Sequence, residues 1–248
     1  MADLVLREDV EGLCWLTINR PEKLNSLTVD VFKELRRHVQ DLHADETARC
    51  IILRGAGRCF SAGHDLGDIA EGEAVPSPGW HSETLRMMEK LPKPIIAAVH
   101  GHCYTGALEV ALAADFILAS DNAKFGDTHA KWALTPIWGM SQRLPRRVGT
   151  ATAKRLMFTA EMVRAAKAHS MGLCEEVYPD DSFFADVEAL ARRILENSSF
   201  SHAANKRLLE ATDMDPIDAG LQWEVMENEG VGPDMQDRIA AFMKGAGK

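Results

Sequence analysis

The chain has 248 residues, 46% hydrophobic and 26% charged, with 18 glycines and 10 prolines, a composition that fits one large folded domain or a domain with an appendage. Lys and Arg total 28 against 37 Asp and Glu, a formal net charge of −9, which argues against a nucleic-acid or membrane partner but leaves room for a small anionic ligand. Cys14, Cys50, Cys59, Cys103 and Cys174 are scattered and never spaced CxxC, so they read as buried, reduced thiols rather than a disulfide framework or zinc site. With no basic N-terminal region and no apolar run near the roughly 18 residues of a membrane span, the expected location is the cytoplasm.

In residues 13–19, Cys14, Leu16 and Ile18 alternate with Leu13, Trp15 and Thr17, which predicts a strand covered on both faces and paired with residues 4–7. After the turn-like Arg20-Pro21-Glu22-Lys23, Thr28 is placed to cap a helix whose Phe32, Leu35, Val39 and Leu42 recur at helical spacing. A strand over 50–53 leads into a small-residue loop, 55–66, and a polar excursion over 71–78 that closes on a helix near 82–90. Residues 94–100 are a short apolar run bounded by turn signals, hence a buried strand. Beyond Gly106 the helical spacing of Leu108, Ala111 and Leu112 runs to Asp115, and residues 116–120 form another strand. These alternations predict an α/β core with parallel strands and crossover helices. From Ala151 the pattern is mainly helical, at 151–159, 164–171, 183–196, 203–212, 217–228 and 235–243. The division expected is a core over 1–197 and a helical region over 198–248, docked on the core or on another subunit.

Gly55-Ala-Gly57 after a strand begins like a dinucleotide-binding turn, but Phe60 stands where the third glycine belongs. GxSxG, HExxH and P-loop sequences are absent. His100 and His102 share one face of an extended segment, yet no third ligand lies nearby in sequence, so no metal is expected. Glu109 is more informative, because it occupies the first turn of an otherwise apolar helix after a strand–glycine junction. One reason for it is interaction with the helix N-terminus, about 0.3–1 kcal/mol. The other is a general acid or base tuned by burial, beside backbone N–H groups that hold a developing oxyanion, with Gly106 allowing close approach.

Five stretches carry a resemblance: Ile18-Asn-Arg-Pro-Glu-Lys-Leu-Asn25, Phe60-Ser-Ala-Gly-His-Asp-Leu66, Ala97-Ala-Val-His-Gly101 with Gly106 to Glu109, Asp115, and Ala123-Lys-Phe-Gly126 through Pro136. In order and spacing they resemble the crotonase, or enoyl-CoA hydratase/isomerase, superfamily over nearly the whole chain. The resemblance implies a crotonase-like α/β fold, a spiral of ββα units with a helical C-terminal region, assembled as homotrimers or dimers of trimers. It implies that the amides of His64 and Gly106 grip a thioester carbonyl, and that Glu109 is the first catalytic glutamate. The loop from Ala62 to Leu66, with His64, Asp65, Leu66 and Gly106, would contact coenzyme A, which arrives as part of the substrate and not as a separate cofactor.

The family's second glutamate falls at His129, in Phe125-Gly-Asp-Thr-His129, so the two-carboxylate pattern is broken. Imidazole titrates close to working pH, so His129 either shares the acid/base work or is a packed, ligand-contacting side chain. Asp127 is an alternative carboxylate displaced by two positions. The side chain of His64 is a lesser candidate, since its backbone does the work in the resemblance. Trp132 and Trp138 read as pocket wall or core, and Lys206 and Arg207 as phosphate contacts or a solvated helix face. The function implied is hydration of a 2-enoyl-CoA thioester. Its alternatives are double-bond isomerisation, acyl-CoA hydrolysis, or acyl-CoA binding without catalysis.

Overall fold

The computed structural model describes residues 3–210 together with Pro233, Met235 and Asp237. Strand β1 (Val5–Val10) turns through Glu11 and Gly12, both at positive φ, into the antiparallel β2 (Leu13–Ile18), the geometry a two-residue hairpin needs. Helix α1 (Val29–Ala44) starts where expected, with Thr28 Oγ1 accepting from the Val31 amide at 3.2 Å, and buries Phe32, Leu35, Val39 and Leu42 on one stripe. Then follow β3 (Cys50–Gly55), the short α2 (Leu66–Glu71), α3 (Trp80–Glu89), β4 (Ile95–Val99), β5 (His102–Tyr104), α4 (Gly106–Leu112), β6 (Phe116–Ser120) and β7 (Lys124–Gly126). The chain continues through α5 (Met140–Val148), α6 (Thr150–Thr159), β8 (Val163–Arg164), α7 (Ala165–Ser170), β9 (Glu176–Tyr178), α8 (Phe183–Leu195) and α9 (Ser199–Glu210).

Six strands form one sheet in the order β1-β2-β3-β4-β6-β9, parallel from β2 onward. A smaller sheet, β5-β7-β8, takes the second strand of each pair, so β4 and β6 enter the large sheet while β5 and β7 enter the small one. One face of the large sheet packs Leu16, Leu53 and Val99 against Phe32 and Leu35, and the other packs Leu13, Trp15 and Ile52 against Phe183, Val187 and Ala191 of α8. This two-sided cover is why all six residues of β2 are buried. Each fully buried Leu or Phe in it contributes about 1.5–3 kcal/mol.

The mixed α/β fold expected from the strand and helix alternation is present, and so are its main elements. The second sheet, α2 and α5 were not anticipated. Strands of two or three residues carry too little pattern to read, and Pro145 lies inside α5. All five cysteines are buried and free, as expected. Lys206 on α9 does not project as a free phosphate contact. Its Nζ donates to Asp115 at 2.7 Å and to the Lys93 carbonyl at 3.0 Å, tying α9 to the start of β4, whose Ile95 amide donates to the same Asp115 oxygen. The two last expected helices, and the apolar positions Leu221, Trp223, Val225, Ile239 and Phe242 within them, lie outside the described residues, apart from Met235 and Asp237.

Candidate active site

Three loops build the site, one after β3 of the large sheet and two after β5 and β7 of the small one. Asn25, at positive φ, donates from its side chain to the carbonyls of Ala56 (2.9 Å) and Cys59 (2.7 Å) and accepts from the Arg20 amide. The Gly55 turn is so tight that a Cβ there would lie 2.2 Å from two backbone oxygens, so the glycine serves loop closure, not a dinucleotide. The following segment is stitched on both sides, Ser61 bridging to Cys103 and His64 bridging to Leu27. In the second bridge Leu27 bonds Gly63 and Asp65, which turns the amide of the intervening His64 away from Leu27. Gly63 passes against the Tyr104 to Gly106 turn, where a Cβ would lie 2.5 Å from the Tyr104 carbonyl and 3.5 Å from the Gly106 nitrogen. The amides of His64 and Gly106 are thus set on neighbouring backbone.

Thr105 precedes Gly106 at φ 51 and ψ −110, a strained conformation for a β-branched residue. It is held there by its amide bond to the Gly126 carbonyl (2.8 Å) and by its hydroxyl, 2.5 Å from that of Thr128. The strain starts α4 abruptly, leaving the Gly106 amide at the helix start without an intrahelical acceptor. Behind Gly106 stands the indole of Trp138, 2.5 Å from where a Cβ would be. The absence of a side chain at 106 therefore makes room first for Trp138.

One turn on, Glu109 is 1% exposed. Its Oε1 accepts from the backbone amides of Trp138 (3.0 Å) and Met140 (2.9 Å), which fixes the carboxylate and leaves Oε2 facing His129 Nε2 at 3.9 Å. Burial pushes its carboxyl above the ordinary range and outweighs the Met140 amide, the His129 ring and the Trp138 amide, which all favour the anion. His129 begins the turn after β7, and Asp127, also 1% exposed, accepts from its Nδ1 at 2.6 Å and from its amide at 3.1 Å. This orients the ring with Nε2 toward Glu109, an acid–imidazole–acid series. Asp127, two positions short of the expected carboxylate, thus supports His129 instead of replacing it; the only sequence signal was its i−2 spacing in a turn.

Glu109, His129, Gly106 and His64 line one cavity of about 200 Å³, walled by Ile69, Leu134, Ile137 and Trp138. Glu73, which the sequence reading left in the polar excursion, lines it too, with its Oε1 3.1 Å from His64 Nε2 and 3.7 Å from His81 Nε2. A second cavity of about 250 Å³ shares His64, Ile69, His129 and Leu134 and opens past Ala62, Leu66 and Trp132. Trp138 is thus a buried wall of the inner cavity, and Trp132, 53% exposed, a lip of the outer one. Asp65 caps α2 at the Gly67 amide (3.0 Å) and accepts from Ser26 Oγ (2.8 Å) and Arg20 (3.3 Å). His100 and His102 do not converge, the first facing the Gly57 carbonyl and the second the Tyr104 hydroxyl, and among the described residues no group of three His, Cys, Asp or Glu side chains is arranged to hold a metal ion.

The fold and this cavity define the class: a mixed α/β enzyme with an amide-anchored carboxylate set among apolar walls. Residues 8–235 match the family described as enoyl-CoA hydratase/isomerase, and the chain belongs to that family. It is 32% identical over 249 residues to the short-chain-enoyl-CoA hydratase of Clostridium acetobutylicum, covering 97% of this chain and 94% of that one. It is 30% identical over 252 residues to the 1,2-epoxyphenylacetyl-CoA isomerase of Escherichia coli, covering 98% and 96%. The crystal structure of enoyl-CoA hydratase from Bacillus anthracis superimposes with a TM-score of 0.92 at 30% identity, over 97% of this chain and 96% of that one.

Proposed function

We propose that the protein hydrates a 2-enoyl-CoA thioester, with Glu109 as principal acid/base and the amides of His64 and Gly106 as the oxyanion hole. The observation that carries this reading is Glu109 itself: one oxygen fixed by two amides, the other free toward His129, in a cavity shared with both proposed amide donors. Glu109 Oε2 takes a proton from water as the hydroxyl bonds to Cβ. The π electrons move to the thioester oxygen, where two N–H groups receive the enolate charge, and a proton then passes to Cα as the carbonyl reforms. The raised affinity of Glu109 for a proton suits a group that must give back what it takes. His129, held by Asp127, shares that proton traffic or sets the water.

The CoA arm runs along residues 62–66 and the outer cavity, where Ala62 and Leu66 contact it and Asp65 holds the loop in shape. Coenzyme A enters with the substrate, and no separate cofactor takes part. The setting is acyl-CoA, fatty acid metabolism in a reducing cytoplasm, which the five buried thiols support; no helix among the described residues is long and apolar enough to cross a membrane. The chain assembles as a homotrimer or dimer of trimers, to which residues 198–248 contribute. A second reading, double-bond isomerisation, draws on the family's being described as hydratase/isomerase and on Glu109 being able to remove and return one proton alone. Incubation with crotonyl-CoA tests both: gain of one water supports hydration. A shifted double bond in 3-enoyl-CoA without mass change supports isomerisation, free CoA hydrolysis, and binding without turnover a silent binder.

A further inference from the structure

The acyl cavity has one polar wall that the proposed hydration chemistry does not use. Glu73 Oε1, His64 Nε2 and His81 Nε2 are all buried, and none has an aligned hydrogen-bond partner, although Glu73 and His64 stand 3.1 Å apart. The indole Nε1–H of Trp138, whose ring packs against both imidazoles with centroids 4.6 Å from His64 and 4.7 Å from His81, is also without an acceptor. Of these residues His64, Glu73 and Trp138 line the cavity, with His81 3.7 Å from Glu73, so beyond the His64–Glu73 contact this end of the cavity keeps polar capacity of a kind that native interiors seldom leave unused. Apart from Gly106 and the polar Glu109, His129 and Thr135, the remaining wall is apolar: Ile69, Leu134 and Ile137. His81 is kept neutral, so its ring presents one N–H and one lone pair rather than a second charge.

We propose that Glu73 and His64, with His81 standing against Glu73, form a polar subsite that selects 2-enoyl thioesters carrying a hydroxyl group just beyond the double bond. A hydroxyl is both donor and acceptor: it donates to the Glu73 carboxylate and accepts from an imidazole N–H, replacing a close but misaligned pair by two bonds. Its place along the acyl chain follows from His64, whose amide is the proposed oxyanion donor and whose ring reaches the subsite. The hydroxyl therefore lies within one imidazole side chain of the thioester carbonyl, which corresponds to the fourth carbon and not to the tail of a long chain. A site built to hydrogen-bond a substrate hydroxyl discriminates strongly against the analogue lacking it, because its own buried polar atoms are then left unpaired.

This inference rests on the acyl-thioester reading of the cavity, and its test separates the two. Affinities of trans-4-hydroxybut-2-enoyl-CoA and crotonyl-CoA are measured by calorimetry on the Glu109→Gln protein, so that binding is read without turnover. The hydroxylated thioester binds at least about tenfold more tightly, Glu73→Leu in the same background brings the ratio to about one, and Glu73→Gln, which keeps the loop's shape, lowers it. Equal affinities on the Glu109→Gln protein overturn the subsite whether or not a Glu73 variant folds, as does a preference that survives Glu73→Leu. Turnover of both thioesters by the unaltered enzyme is followed separately. A binding preference without gain of water leaves the subsite standing and removes the hydratase reading, while hydration with no preference does the reverse.

Discussion

At the scale of single residues, the proposed chemistry depends on Glu109, His129 and Asp127, three buried titratable side chains whose surroundings differ. Glu109→Gln keeps shape and both amide bonds but cannot exchange a proton, so kcat on crotonyl-CoA falls by roughly 10²–10⁴-fold with thioester affinity nearly intact. Because burial raises its pKa, the carboxylate form is lost above the ordinary value of 4.5, and the acid limb of kcat/KM lies on the alkaline side of that value. His129 adds its own pH dependence if it carries a proton. His129→Gln removes that dependence, His129→Glu restores paired carboxylates and hydrates faster than the Gln variant, and Asp127→Asn, which weakens the 2.6 Å contact that aims Nε2 at Glu109, slows hydration. Superimposable profiles of kcat/KM against pH for all four proteins remove His129 from the mechanism.

His81 offers a stability test at the same scale. Burial first, and the neighbouring His64 second, push it down to about 4 from an ordinary 6.5. A depressed pKa means the unfolded chain binds the proton more readily, so the stabilisation is complete above pH 6.5 and is lost as pH falls through about 4. The amount is on the order of 3 kcal/mol, or several degrees in Tm. His81→Phe, which preserves the edge-on contact to Phe32 and the stacking on Trp138, should melt with a smaller loss of Tm between pH 7 and pH 4.5. Melting curves of the two proteins that fall in parallel would show that His81 takes up no proton on unfolding.

At the scale of elements, the site is a junction of backbones, and side-chain substitutions in it should differ sharply in effect. Gly106→Val drives its Cβ into the Trp138 ring, so it displaces either α4 or the inner wall. Overpacking of this kind costs about 1–3 kcal/mol, and activity falls with it. His64→Ala retains the amide and is far better tolerated in crotonyl-CoA hydration. If instead it matched Glu109→Gln in damage, the imidazole would have a chemical role. The periodicities of α1 and β2 were legible because both bury long stripes of side chains. The small sheet was not: β5, β7 and β8 have two or three residues each, and their pairing is decided by where β4 and β6 deliver them.

At the scale of the whole molecule, the ββα winding brings the candidate groups in from three successive turns: the His64 loop after β3, Gly106 and Glu109 after β5, and Asp127 and His129 after β7. Contacts of α9, Lys206 with Asp115 and Ser199 with Arg49, hold that helix against the core. A homotrimer or hexamer is the expected form of the intact protein. Light scattering at micromolar concentration should return three or six chain masses, with truncation after Asn197 lowering the order, and a monomeric intact chain would count against the assembly.

By itself the sequence determined the long elements, the burial of the cysteines and the α/β class, because local periodicity and turn chemistry act over neighbouring residues. The ordered motifs around Asn25, His64 and Glu109 also identified the family, since each motif shapes its own loop. Only the tertiary structure decided the relation of Asp127 to His129 and Glu109, the arrival of Glu73 beside His64, and the Trp138 ring behind Gly106. Those groups come from loops separated by tens of residues, and their distances depend on how far each turn of the winding advances, a quantity that no local pattern encodes.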